Sequence, residues 1–127
     1  MSIAYWCVLA AALLPSFTVG IAKGLSPYDN RDPRAPGTYK GLAYRAYGAH
    51  QNGLETFPFF AVAVLVASGG SAHTTLAVLD ALALAWIALR LAYIAAYLLD
   101  RPSLRSVLWV GALLTTVGIF TLPAWHG

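Results

Sequence analysis

The chain has 127 residues, 59% of them apolar and only 10% charged, with a mean hydropathy of +0.66. A soluble domain carries about 25% charged residues, so this chain is too poor in charge to coat a water-facing surface, and too rich in Leu, Ala and Val to be disordered. Eight Lys and Arg against five Asp and Glu leave a net charge of +3, yet the basic residues flank apolar segments instead of forming an exposed module, which argues for membrane sorting and against a nucleic-acid partner.

A bilayer core takes roughly 20 apolar residues per helix, so about four crossings fit in a single domain over residues 1–127. The expected class is an all-α membrane protein, a four-transmembrane-helix bundle. Residues 3–22 are uncharged and lack the basic start and small-residue cleavage site of a signal peptide; they read as the first helix, kinked at Pro15. The lone Cys7 excludes an internal disulfide and is expected as a small buried or lipid-facing side chain. Residues 23–41 hold Pro27, Pro33, Pro36, Gly24, Gly37, Gly41 and the run from Asp29 to Arg34, the composition of a loop.

The second helix is predicted over residues 42–67. Its purely apolar part, Phe57 to Ala67, rises only about 16 Å, half a bilayer. The helix must therefore begin near Leu42 and carry Arg45, His50, Gln51, Asn52 and Glu55 into or near the membrane, where they must face a bundle interior or a wet cavity. Residues 68–71 read as a turn, and a third helix runs over 76–99 with Asp80 near its start, as an interfacial carboxylate, and Arg90 deep within it. Asp100 to Ser103 turn tightly, with Pro102 suited to a helix start, and the fourth helix runs over 104–124. Trp6 and Trp125 fall at the two outer helix ends, as interfacial anchors should.

Lys23, Arg31, Arg34 and Lys40 in the first loop, and Arg101 and Arg105 around the third turn, outweigh the single His73 of the second turn. Loops one and three lie at the same end of a four-helix protein, so both are expected in the cytoplasm and both termini outside. Arg45, Gly48, Asn52 and Glu55 share one face of helix two, and Arg90, Tyr93 and Tyr97 one face of helix three. Measured from the cytoplasmic ends, Glu55 lies about 16 Å deep and Arg90 about 14 Å deep, so the two charges are expected to pair. His50 points away from Arg45 and is expected to hydrogen-bond between helices. His50, His73 and His126 share no ligand spacing, and no metal site is expected.

The segment from Arg45 to Pro58, with Asn52 followed three residues later by Glu55, resembles the helix-two signature of the MAPEG family, the membrane-associated proteins in eicosanoid and glutathione metabolism. Arg90, Tyr93 and Tyr97, followed by Arg101-Pro102-Ser103-Leu104-Arg105-Ser106, are similar to its second signature, and the likeness extends over nearly the whole chain. The run from Asp29 to Arg34 resembles a bacterial branch of the family, which implies a bacterial inner membrane as the expected location. The resemblance implies a homotrimer with glutathione sites between subunits near the cytoplasmic side. Arg105 would stabilise the thiolate with Ser106 nearby. Arg45, Asn52, Glu55, Arg90, Tyr93, Tyr97 and Arg101 would build the rest of the site, with the two Tyr lining it and Asn52 and Glu55 holding the tripeptide's polar backbone.

The chain departs from that pattern where glutathione-using members carry further Arg on helix two and this sequence has Gly48 and Gln51. Each lost charge-assisted hydrogen bond is worth roughly 1.5–3 kcal/mol. The linker to Arg105 is also about one residue shorter than in the eicosanoid enzymes. Arg31 and Arg34 are either solvated loop charges or fold over the cytoplasmic mouth and replace the absent helix-two Arg residues. Two functions remain open: a glutathione-dependent transferase or peroxidase acting on lipophilic substrates, and a non-enzymatic scaffold, lipid-binding protein or accessory subunit of a larger membrane complex.

Overall fold

The structure, a computed structural model, describes residues 1–69 and 76–125. It contains four helices: α1 (Ile3–Leu25), α2 (Leu42–Gly69), α3 (Leu76–Leu98) and α4 (Pro102–Trp125). Each is long and apolar enough to cross a membrane. His73, His126 and residues 70–71 of the expected turn lie outside the described residues, while Ser68 and Gly69 of that turn instead continue α2.

Helix α1 begins where Ser2 leaves helical geometry and its Oγ accepts from the Tyr5 N–H, a capping arrangement that satisfies one of the orphan donors of the first turn. A second donor is satisfied from across the bundle. The Ala4 N–H donates to Asp80 Oδ1 on α3 at 2.8 Å, so the carboxylate expected as an interfacial charge instead caps α1 and sits against the positive end of its dipole. The helix runs through Pro15 and ends at Leu25, three residues beyond the expected Ala22. Lys23 falls in the last turn, where a cation is favoured, so the first charged residue extends the helix instead of stopping it.

The α3–α4 turn is equally local in origin. Asp100 takes a left-handed φ of 56°, the Arg101 N–H donates to the Ala96 carbonyl at 2.8 Å and the Asp100 N–H to the Tyr97 carbonyl at 3.2 Å. These two bonds form a Schellman motif with Asp in the position usually taken by Gly. Pro102 then opens α4 directly, two residues earlier than expected, because a first-turn residue needs no N–H partner.

Helices α2 and α3 form the diagonal of the bundle: both touch every other helix, whereas α1 and α4 do not meet. The core of the half away from the first loop is built from small residues, Ala4, Ala11, Ala63, Ala67, Ala83 and Ala112, with Cys7 also buried among them. Small side chains let helix backbones approach closely, which is how helices associate where hydrophobic exclusion from water is absent. Against them pack a few large groups, including the Phe60 and Trp86 rings stacked 3.9 Å apart. Large apolar side chains, Trp6, Phe17, Leu114 and Trp125 among them, point outward, as lipid-facing residues should. The other half, where α1 ends, α2 begins, α3 ends and α4 begins, collects the polar side chains.

Candidate functional site

A cavity of about 610 Å³ opens at that polar end between α2, α3 and α4. Helix α2 contributes Gly48, Gln51, Asn52 and Glu55; α3 contributes Tyr93 and Tyr97; α4 contributes Arg105 and Ser106. The volume lies in the range of small-molecule sites. Six of the residues predicted for the site, Asn52, Glu55, Tyr93, Tyr97, Arg105 and Ser106, thus converge from three helices. Trp109 also lines the cavity and was not singled out from the sequence, although its spacing of four from Arg105 places both on one face of α4.

Rings and guanidinium groups alternate along the wall. Arg90 Cζ lies 4.1 Å from the Tyr93 ring centroid, Tyr93 meets Tyr97 edge-on at 5.8 Å, and Arg105 Cζ lies 4.5 Å from the Tyr97 ring. Such cation–π contacts hold the two guanidinium groups at defined heights without consuming their hydrogen bonds. Tyr97 can take this position because of Gly48. A Cβ at Gly48 would collide with the Tyr97 hydroxyl oxygen and lie 2.7 Å from its Cζ, closer than real side-chain contacts allow. Gly48 is therefore more than an absent Arg: it is the floor on which the arginine-bearing tyrosine lies.

The expected pairing of Glu55 with Arg90 does not form. Arg90 Nη2 donates instead to Asn52 Oδ1 at 2.8 Å, and Glu55 is exposed at the cavity. Both residues line one cavity, but pairing them would require stripping water from the carboxylate as well, a cost that often exceeds the Coulombic gain. Arg90 itself is only 2% exposed and is held by the Asn52 amide and the flanking Tyr93 and Trp86 rings. It lines a second cavity of about 330 Å³ with Phe59, Trp86 and Leu113, which adjoins the first through Asn52, Glu55 and Trp109.

Arg45 and Arg101 stand apart from both cavities. Arg45 Nε donates to the Leu98 carbonyl at 3.3 Å, satisfying an orphan carbonyl at the end of α3, and Arg101 is exposed in the α3–α4 turn. Adjoining the main cavity at Gln51 and Glu55, Arg34 of the first loop lines a space of about 390 Å³ with Tyr47 and His50. Of the two readings of the loop charges, the structure thus brings Arg34 beside Gln51, one of the positions lacking a helix-two Arg; Arg31 stays exposed away from the cavities. His50 is buried, and its Nδ1 lies 2.7 Å from the Pro15 carbonyl. The carbonyl only accepts, so Nδ1 carries the proton and joins α2 to α1, the inter-helix role expected for it. Among the described residues, no three His, Cys, Asp or Glu side chains converge as metal ligands.

The cavity therefore offers one fixed cation, one solvated carboxylate, two amides and three hydroxyls, open to a polar end of a membrane-spanning bundle. A match to the MAPEG family covers residues 3–125. The chain belongs to the MAPEG family. No match was found among curated proteins or among solved structures. This MAPEG chain is an integral membrane protein whose lipid-facing surface is apolar on all four helices.

Proposed function

We propose that this MAPEG protein is a glutathione-dependent transferase or peroxidase acting on lipophilic substrates, working as a homotrimer in a bacterial inner membrane with its first and third loops in the cytoplasm. The observation that carries the reading is the seating of Arg105 on the Tyr97 ring at 4.5 Å, beside Ser106 in a cavity that also holds Asn52 and Glu55. Glutathione presents an ammonium, two carboxylates and a thiol. Glu55 suits the ammonium, and Arg105 stabilises the thiolate over the thiol, because a nearby cation favours the charged sulfur. Gln51, Ser106 and the Tyr hydroxyls remain for the carboxylates, with the Arg34 charge in the adjoining space that Gln51 also lines.

In transfer, a thiolate lone pair forms the C–S bond to an electrophilic carbon and the displaced pair leaves with the departing group. On a lipid hydroperoxide the thiolate takes the terminal oxygen and releases the alcohol. A second glutathione then reduces the resulting sulfenic acid, giving disulfide and water. The second cavity, walled by Phe59, Trp86 and Leu113, suits the apolar partner arriving laterally from the bilayer.

Titration of the purified protein with glutathione, followed by thiolate absorbance, tests this. Thiolate formation is expected in the wild type and lost in Arg105→Ala. Absence of binding at millimolar glutathione would overturn the enzyme reading and favour the scaffold or lipid-binding reading, for which the single cation facing the main cavity speaks.

A further inference from the structure

The first loop is built, not merely tethered. Ser26 Oγ donates to the Thr38 carbonyl at 3.1 Å, closing the loop at its base, and Thr38 Oγ1 donates to the Ala35 carbonyl at 2.7 Å. Asp29 Oδ1 accepts from the Arg31 N–H at 2.9 Å, so that carboxylate is turned toward its own backbone, an Asx turn. Tyr39 anchors the loop: it packs with Ala22, Ala43 and Ala46, and its ring stacks on Tyr47 at 4.9 Å.

Beneath this loop lies a recess of about 190 Å³, distinct from the cavity between α2, α3 and α4. Lys23 comes from the end of α1, Arg34 and Tyr39 from the loop, and Tyr47 and His50 from α2, and no carboxylate lines it. Tyr39 is only 5% exposed, yet its hydroxyl is buried without a hydrogen-bond partner among the described residues. Buried polar groups are nearly always partnered, so an orphaned donor on a residue that walls a recess lined by two cations calls for an acceptor from outside. Burial, with Tyr47 and Tyr28 adding to it, raises the Tyr39 pKa, which keeps the hydroxyl protonated and able to donate. The Nδ1 proton of His50 is already committed to the Pro15 carbonyl.

We propose that this recess binds a phosphate group, presented by an anionic phospholipid head group and held by Lys23, Arg34 and the Tyr39 hydroxyl. A phosphate oxygen accepts from all three donor types, and Arg suits its planar pairs of oxygens. The volume suits a head group and is under a third of that of the main cavity. The position argues for lipid as the source. The recess lies where α1 ends and α2 begins, and the exposed Leu25 and Tyr28 flank it on the chain. Basic pockets between helix ends at that level favour anionic lipid over zwitterionic lipid. The proposal does not rest on glutathione binding, although Arg34 borders this recess and the space beside Gln51 alike.

The test is thermal unfolding of the delipidated full chain in detergent, with short-chain phosphatidylglycerol, phosphatidylcholine or inorganic phosphate added. Phosphatidylglycerol is expected to raise the melting temperature well beyond phosphatidylcholine. Arg34→Gln should weaken that binding about tenfold, as should Lys23→Gln. Tyr39→Phe should melt at or above the wild type without lipid, because it deletes an orphaned hydroxyl, and should lose most of the phosphatidylglycerol shift. A purely structural Tyr39 would change the two conditions alike. Equal shifts from the two lipids, or an undiminished phosphatidylglycerol shift in all three variants, would overturn the proposal. If inorganic phosphate alone reproduced the whole shift, the phosphate site would stand and its lipid source would fall.

Discussion

The cations on the two sides of α2 differ in how deeply the protein encloses them. Toward α3 and α4, the guanidinium groups of Arg90 and Arg105 each lie against a tyrosine ring, and Arg90 Nη2 adds a hydrogen bond to Asn52 while its Nη1 is buried without a partner among the described residues. Toward the first loop, Lys23 Nζ lies 5.2 Å from the Tyr28 ring centroid and, with Arg34, lines a recess that has no carboxylate and whose Tyr39 hydroxyl is unpartnered among the described residues. The difference follows from depth. A cation within the span must be held by the protein itself, because neither water nor head groups reach it. A cation at the helix ends can be left to an outside partner. Arg90, buried to 2% exposure, therefore holds architecture, while Arg105, Lys23 and Arg34 near the helix ends remain for ligands.

Arg90→Ala should break that contrast most severely if it is false. It removes a buried side chain, orphans the Asn52 amide and leaves a void beside Trp86, so a loss on the order of 3 kcal/mol is expected in detergent unfolding. Unchanged melting would mean that Arg90 is not locked in any energetic sense.

Gly48→Ala comes next. Its Cβ cannot coexist with Tyr97 as placed, so about 1–3 kcal/mol of strain is expected, together with a displaced Arg105 and weaker thiolate formation. Adding Tyr97→Leu should recover the stability but not the thiolate. If Gly48→Ala alone left both readouts intact, Tyr97 would not depend on that floor.

Glu55→Gln is the mildest. With no ion pair to Arg90 and an exposed carboxylate, it should change stability by less than about 0.5 kcal/mol while lowering glutathione affinity. A large stability loss in calorimetry would restore the direct pairing expected from equal depth. Arg34→Gln, at an exposed loop position, should be similarly silent in the absence of ligand.

Several features were readable from residue order because their causes are local. Helix α2 starts at Leu42 because eleven apolar residues cannot cross a bilayer. The tight α3–α4 turn follows from Asp100 and Pro102, one tolerant of positive φ and the other preset for a first helical turn. Likewise, the 3.6-residue period put Asn52 and Glu55 on one face of α2 and Tyr93 and Tyr97 on one face of α3, and the structure brings all four to one cavity.

What periodicity could not supply was the identity of partners between helices. It gave Arg90 a depth and a face, but the choice between Glu55 and Asn52 depended on the desolvation of a carboxylate that only the packed bundle leaves in the open. It showed Gly48 as a missing side chain, whereas the Tyr97 ring occupying that space comes from a residue 49 positions away on another helix. Asp80 capping Ala4 and Arg34 folding back beside Gln51 are of the same kind. The sequence by itself determined the class, the four spans and which residues share a helix face, because these rest on transfer from water to lipid and on helical period. The tertiary structure alone decided which inward groups meet, because that depends on distances of a few ångströms between helices and on the cost of taking each charge out of water.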